Sequence, residues 1–472
     1  MGMVGQGRWE EADWAINEFG GALLGDQRRT ACLVRMGSVL GRRPHRSLPE
    51  AIGDPAQLKA AYRFFENEAI EPAAIVASHV EATLERVAEV SVVLAVQDST
   101  QVDWTGHPAT RGLGQIGNGK GRGIILHSTL ALTPERVPLG LLSQTDWVRP
   151  LDAPRAPERR RLPVAEKESR KWLESLEAVI AAQAHCPQTH FISIGDREAD
   201  MYELFALERP VGVDLLVRAC HDRCLVDADG KRQHLRAALA ATPVRATVEV
   251  TVPRQAERPA RTARLSVRWS PITLQPAKRP GLTYPDPIAL GAVWAVEETP
   301  PPGVPPLDWR LLTTLPLATT QAALTCLDYY AARWTIEVYH KVLKSGCTLE
   351  QRQLEDLDHL QRCRAVFGVI AWYVLFATML ARTQPDLPCT LLLEEAEWQA
   401  LYCHVHHTLV LPATPPTLAH AVRWIAQLGG FLGRKSDGQP GVTVLWRGFP
   451  HLFDLAAMYR LHHPPRRLAK CG

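Results

Sequence analysis

Two acidic residues each follow an apolar run of strand length. Asp98 comes just after residues 90–96 (Val-Ser-Val-Val-Leu-Ala-Val), and Asp196 just after 191–194 (Phe-Ile-Ser-Ile). Such a run reads as a strand buried on both faces, and its end is a rigid, exposed place to hold a carboxylate. A third acid, Glu337, lies among cations in the stretch from Tyr330 through Arg333 and Lys341 to Lys344. On a helix turning roughly 100° per residue, these five side chains gather on an arc of about 80°. Ile336, Val338, Tyr339, Val342 and Leu343 take the opposite side, so the helix packs by one face and presents an acid among bases on the other. Convergent carboxylates are the requirement of two-metal phosphoryl transfer, because hard divalent ions about 3.5 to 4 Å apart take oxygen ligands. The flanking cations suit the phosphates of DNA. Taken singly, each aspartate reads more readily as a turn or cap residue than as a ligand; their matching positions on two strands, together with Glu337, point to one site.

The elements that would position these groups can be read along the chain. Residues 1–75 read as short helices, with Asp26 as a cap and a helical stretch at 58–65. Apolar runs at 90–96, 123–132 and 137–142 are followed by an amphipathic helix near 164–184 and the strand at 191–194. Three strands, a helix and a fourth strand, with acids after the first and fourth, is the order of an α/β, ribonuclease-H-like core. Residues 215–315 are β-rich and dense in proline, and are expected to interrupt that core. Helical sequence resumes at about 320–382. The expected divisions are therefore a small, basic, helical module (1–75), an α/β core with a β-rich insertion (76–384) and a helical tail (385–472).

With 46% hydrophobic and 22% charged residues in 472, the chain has an ordinary globular composition. No apolar run approaches the roughly 18 to 20 residues of a membrane span, and the start lacks a secretory pattern, so a cytoplasmic protein is expected. Ten cysteines without regular spacing do not make a disulfide framework. Cys403, His404, His406 and His407 lie too close together for all four to serve one ion, and are not read as a zinc site. A net charge of +3 does not diagnose a nucleic-acid partner. Its distribution says more. Basic clusters fall at Arg28-Arg29, at Arg42-Arg43 with His45-Arg46, at Arg159-Arg160-Arg161, and at Arg466-Arg467 with Lys470. Beside a nuclease centre, several such clusters favour phosphate binding. Lys120 and Arg122, in the glycine-rich stretch 117–123, are further DNA-contact candidates, the rival reading being a flexible turn. That stretch is no P-loop, since Gly-x4-Gly-Lys-[Ser/Thr] is absent.

The spacing Tyr330-x2-Arg333-x3-Glu337-x6-Lys344 resembles the signature of the insertion-sequence-four family of bacterial cut-and-paste DDE transposases. Similar stretches run the length of the chain, among them Ala12-Asp13-Trp14-Ala15, Leu24-Gly25-Asp26, Asp196-Arg197-Glu198-Ala199-Asp200, Leu311-Leu312-Thr313-Thr314 and Leu428-Gly429-Gly430-Phe431. The resemblance implies that Asp98, Asp196 and Glu337 form an acidic triad holding two Mg²⁺ ions, with Mn²⁺ able to substitute. Glu198 and Asp200 compete for the second position, and the match centred on Asp196 prefers that residue. It further implies that Tyr330, Arg333, Lys341 and Lys344 contact the DNA backbone and that Trp309 stacks on a flipped base. Arg218 would be an additional active-site arginine. By the same resemblance 1–75 would be a helical DNA-end-binding domain, 76–384 the catalytic domain and 385–472 a helical dimerisation domain. The expected partners are double-stranded DNA, as terminal inverted repeats and target, and a second copy of the chain. Arg28, Arg29, Arg42, Arg43 and Arg63, with Tyr62, are the candidates for reading the repeats. The implied pathway is hydrolysis at the element end, a hairpin intermediate, and joining of 3′ ends to a target. The rivals are a non-catalytic regulator that binds DNA and blocks active copies, and a nuclease that cuts without joining.

Overall fold

A computed structural model describes residues 14–150, 162–227, 229–252, 260–276, 286–434 and 437–463. The basic clusters at 159–161 and 466–470 lie outside the described residues.

Five helices open the chain: α1 (Trp14–Phe19), α2 (Gln27–Arg42), α3 (Leu48–Ile52), α4 (Pro55–Glu66) and α5 (Pro72–Val87). Their starts are written locally. Asp26 accepts from the Arg28 N–H at 2.8 Å, Asp54 accepts from Gln57 at 2.8 Å, and Ser47 with Glu50 closes a reciprocal capping box.

The sheet begins with β1 (Val92–Asp103), β2 (Gly114–Ile116), β3 (Gly121–Leu132) and β4 (Pro138–Trp147). Helix α6 (Arg170–His185), β5 (His190–Gly195), the short α7 (Tyr202–Ala206) and β6 (Val213–Arg218) follow. Strand β1 runs antiparallel to β3 and parallel to β5, and β5 runs parallel to β6. Alternate residues of β1 feed two cores. Leu94 and Val96 join the cluster under the N-terminal helices, whereas Val93 and Ala95 pack with Trp172, Leu176 and Val179 of α6.

The β-rich segment extends this sheet instead of interrupting it. After β7 (Cys224–Val226), β8 (Arg232–His234) and α8 (Leu235–Ala241) come β9 (Ala246–Val252), β10 (Arg261–Leu274), β11 (Ile288–Val296) and β12 (Asp308–Thr313). Strand β12 returns to pair antiparallel with β6, which gives one twelve-stranded sheet in the order β2-β3-β1-β5-β6-β12-β11-β10-β7-β8, with β4 on β3 and β9 on β10.

Helices α9 (Thr320–Ala332) and α10 (Trp334–Lys341) meet at Arg333, and a π-turn, Val342–Gly346, follows. The stretch expected as one helix is therefore broken twice. The π geometry is fixed by Cys347 N–H reaching back five residues to the Val342 carbonyl at 2.7 Å. Helix α11 (Leu357–Thr383) is 27 residues long and buried along most of its length. By length and composition it could cross a membrane, contrary to the expectation from the sequence, but 89% of its most apolar window is packed inside the protein. It is the central core helix. Helices α12 (Glu395–His406), α13 (Leu418–Leu428) and α14 (Val442–His462) complete the chain. The last two cross so closely that a Cβ at Gly448 would lie 1.9 Å from the Ile425 carbonyl oxygen.

Buried arginines tie the first helices to the rest. Arg362 donates to the carbonyls of Ile70 (2.7 Å) and Phe65 (3.0 Å). Arg352 donates to those of Arg46, Pro44 and Cys347. At the same junction Arg42 pairs with Glu394 at 2.7 Å, Arg43 pairs with Asp454 on α14, and Arg460 also reaches Glu394. Arg42 and Arg43, expected to read DNA, here hold the N-terminal helices to the C-terminal ones. Basic residue type alone does not separate these two duties.

Glu397 sits in this cluster, 4% exposed, and its pKa is pushed up to about 7, first by burial and then by the neighbouring Glu394. A carboxyl whose folded pKa is raised stabilises the fold fully below its unfolded pKa, and that contribution is lost as pH rises through about 7. Glu397→Gln keeps an oxygen for the Glu394 N–H and removes the buried charge. The variant is expected to be more stable than the parent at pH 8, by on the order of 2 kcal/mol, and equal to it below about pH 4.5. Melting curves at both pH values check this, and equal melting at pH 8 would refute it.

Candidate active site

Asp98 lies within β1, not beyond its end. Antiparallel pairing with β3 continues from Leu94–Leu132 through Asp98–Ser128 to Asp103–Gly123. Parallel pairing with β5 stops at Val96–Ile194. Asp98 thus stands two residues past the last parallel pair on one strand, and Asp196 two residues past it on the other. The parallel register sets them side by side, with β3 keeping the Asp98 segment extended. Asp98 Oδ1 accepts from the Ser99 N–H at 2.8 Å, and Asp196 caps a 3₁₀ turn by accepting from Glu198 N–H at 2.8 Å. Helix α10 packs on β1 and carries half-buried Glu337 to the same place.

Arg333 joins two of the acids. Its guanidinium donates to Asp98 Oδ2 at 3.2 Å and to Glu337 Oε1 at 2.7 Å. Burial pushes the Asp98 pKa up to about 6; Arg333 opposes this, and the carboxylates of Asp196 and Glu337 add to it. Glu337 is likewise raised, by burial first, with Arg333 opposing and Asp196 reinforcing. The three carboxylates therefore repel one another across a partly desolvated space, in which a cation is favoured. As placed, the described residues contain no group of three or more His, Cys, Asp or Glu side chains that could hold a metal ion. The Arg333 guanidinium stands between Asp98 and Glu337. The donor set itself, all carboxylate oxygen, suits a hard divalent cation.

The competing acids have other employment. Asp200 is 4% exposed; it accepts from the N–H groups of Cys220 (2.7 Å) and His221 (2.9 Å) and pairs with Arg223. Glu198 points outward, 3.5 Å from Lys171.

Around the triad, Trp309 on β12 meets Tyr330 on α9 edge to face, with ring centroids 5.7 Å apart. Arg218, at the end of β6, donates to the Asp308 carbonyl at 2.9 Å. The Tyr330 ring in turn lies 5.9 Å from the Arg333 guanidinium. Lys344 pairs with Glu350 at 3.0 Å, and Lys341 is exposed. Lys120 is exposed at the β2–β3 turn, whereas Arg122 donates to the carbonyls of Pro108 (3.1 Å) and Thr110 (2.9 Å) and so braces the loop after β1. On α2 and α4, Arg28 and Arg63 are exposed, and Arg29 donates to the Leu24 carbonyl at 2.9 Å. Near the C-terminus of α12, His406 packs on Tyr402 and Trp424. Among the described residues no disulfide forms, and nine cysteines are free.

Two histidines behind the site are not evident from sequence. His340 bonds Ser128, the ladder partner of Asp98, at 3.3 Å, and His127 bonds Ser99 at 2.9 Å. Burial pushes the His340 pKa down to about 3 and holds His127 well below its usual value, so both are neutral. They brace β1 and α10 around the carboxylates. The only local signal is His340 three residues beyond Glu337, which does not distinguish a brace from an ordinary core residue.

The helices before the sheet and those after it now carry meaning. Residues 11–70 match the family described as Transposase DNA-binding. Residues 369–460 match the Transposase Tn5 dimerisation domain, so the two matches together support a Tn5-like DNA transposase that binds DNA and forms a homodimer. The second match begins inside α11, before the expected boundary at 385.

Proposed function

We propose that this protein excises a DNA element and joins its 3′ ends to target DNA, with Asp98, Asp196 and Glu337 as the catalytic carboxylates of an insertion-sequence-four-type transposase. The observation that carries this reading is the register of β1 and β5, which brings Asp98 and Asp196 level while α10 supplies Glu337. The strand order β4-β3-β1-β5-β6, antiparallel to β1 and parallel beyond it, supports a ribonuclease-H-like core. The three carboxylates would hold two Mg²⁺ ions, or Mn²⁺ in their place. When bound, these ions supply Lewis-acid activation of the scissile phosphate and of the attacking oxygen.

The chain's own residues orient the DNA for successive in-line displacements. Tyr330, Arg333, Lys341 and Lys344 hold backbone phosphates near the cut end, so that the freed 3′ hydroxyl stays in place for the next attack. That hydroxyl attacks the opposite strand to form a hairpin, water reopens it, and the same hydroxyl then attacks the target. Trp309 stacks on a base turned out of the duplex at the hairpin, with Arg218 and Tyr330 beside it, which offsets part of the unstacking cost. Residues 11–70 hold the terminal inverted repeats through Arg28, Arg29 and Arg63, and exposed Lys120 adds a cation from the sheet. Two protomers bring two ends together in one synaptic complex, which would act in the cytoplasm.

The test uses purified protein and a duplex carrying the DNA that flanks this gene. With Mg²⁺, denaturing gels are expected to show nicked, hairpin-ended and target-joined products, and with EDTA none of them. Binding without cleavage in either Mg²⁺ or Mn²⁺ would replace the enzyme with a regulator. Cleavage that never yields joined product would leave a nuclease.

A further inference from the structure

We infer that Arg333 is an exchangeable counter-cation for the carboxylate site. In the DNA-free protein it holds Asp98 and Glu337, and a DNA phosphate must draw it away before divalent ions load. This rests on the triad assignment above and concerns the order in which the site is filled.

The geometry gives the reasons. The two arms of one guanidinium reach carboxylates on different elements, β1 and α10, at 3.2 and 2.7 Å. A guanidinium does not lose its charge in a protein, so it cannot leave these acids by deprotonating. It leaves only for another anion, and phosphate offers the same two-pronged acceptor as a carboxylate. While it stays, an incoming divalent ion meets both a positive charge and occupied oxygens. The side chain is 11% exposed, and it lies close to the surface. Trp334, the next residue, is 55% exposed, and its ring lies 5.9 Å from the guanidinium. Arg333 also sits at the joint between α9 and α10, where a change of side-chain direction does not require a helix to unwind. Exposed Lys341, one turn beyond Glu337, stands ready to receive the phosphate first. Lys344, held by Glu350, shows the same resting arrangement of a cation on an acid.

The consequence is coupling in both directions: whatever binds Arg333 favours cation binding, and bound cation favours DNA. The test measures Mn²⁺ binding to the full chain without DNA, from the electron paramagnetic resonance signal of the free ion. Wild type is expected to bind weakly. Arg333→Ala, and Arg333→Met, which keeps the aliphatic length, are expected to bind Mn²⁺ on the order of tenfold to a hundredfold more tightly. Adding Glu337→Gln to Arg333→Met should remove the gain, which places it at the triad. Arg333→Lys, which keeps the charge but spans less, should fall between. A merely structural Arg333 predicts the reverse, since loosening α10 would weaken binding. If the charge-removing variants bind Mn²⁺ no more tightly than wild type, the exchange is wrong. Failure of the transposase reading appears separately, as absence of cleavage by wild type on its flanking duplex.

Discussion

Asp98→Asn and Glu337→Gln, made separately, are expected to lower cleavage and joining by at least about a thousandfold while both proteins still bind duplex DNA. Each change keeps the shape of the side chain and removes one anionic oxygen donor. The new amide oxygen at position 98 would still accept from the Ser99 N–H, and the one at position 337 would still accept from Arg333, so the local hydrogen bonds survive. What is lost is negative charge at the point where three acids converge. Binding is expected to persist because residues 11–70, which match a transposase DNA-binding family, include neither acid. Glu198→Gln serves as the control. Its carboxylate lies next to Asp196 in sequence but points outward near Lys171, so cleavage should continue. Gel assays of all three proteins on one duplex decide the matter. Retained cleavage in Asp98→Asn or Glu337→Gln would remove that residue from the site, and loss in Glu198→Gln would reopen the choice of second acid.

The second large effect concerns the attachment of α1. Glu18 is 2% exposed, and its carboxylate takes two bonds from Arg86, at 2.7 and 3.2 Å, and one from His79 Nδ1. His79 Nε2 in turn accepts the Leu141 N–H at 3.0 Å, so the ring is neutral, as its burial also dictates. Arg86 lies 4.5 Å over the Trp372 ring and donates to the Leu139 carbonyl. One buried acid therefore connects α1, α5, β4 and α11. Arg86→Met leaves Glu18 charged and without its main partner, and is expected to cost about 3 to 5 kcal/mol. Urea unfolding should show this as a lowered midpoint. The double change Arg86→Met with Glu18→Gln should recover part of the loss, because no charge is then stranded. A double variant no more stable than the single one would show that packing, not the stranded acid, sets the cost.

Much of the site is legible in the order of the amino acids. The helix cap at Asp26, the apolar runs of β1 and β5, and the acids beside them are local patterns, each confined to a few consecutive residues. The spacing of Arg333, Glu337 and Lys341 is also local, since it needs only the pitch of a helix.

The remaining features depend on partners far away in the chain. Strand β1 outruns its apolar core because β3 pairs with its polar half, and residue type does not announce that. The segment 215–315 reads as an insertion because its strands are consecutive. Only the return of β12 to β6 makes it part of one sheet. Arg42, Arg43 and Arg122 read as DNA contacts by type. Whether such a cation faces phosphate, a carboxylate or a carbonyl is fixed by what packs beside it, here Glu394, Asp454 and the Pro108–Thr110 loop. The contact that most shapes the site joins Arg333 to Asp98 across 235 residues. The sequence alone determined which acids are available and on which elements they ride, because those depend on neighbours within a turn or a strand. Tertiary structure alone decided that a guanidinium stands between two of them, because that pairing exists only once α10 has docked on β1.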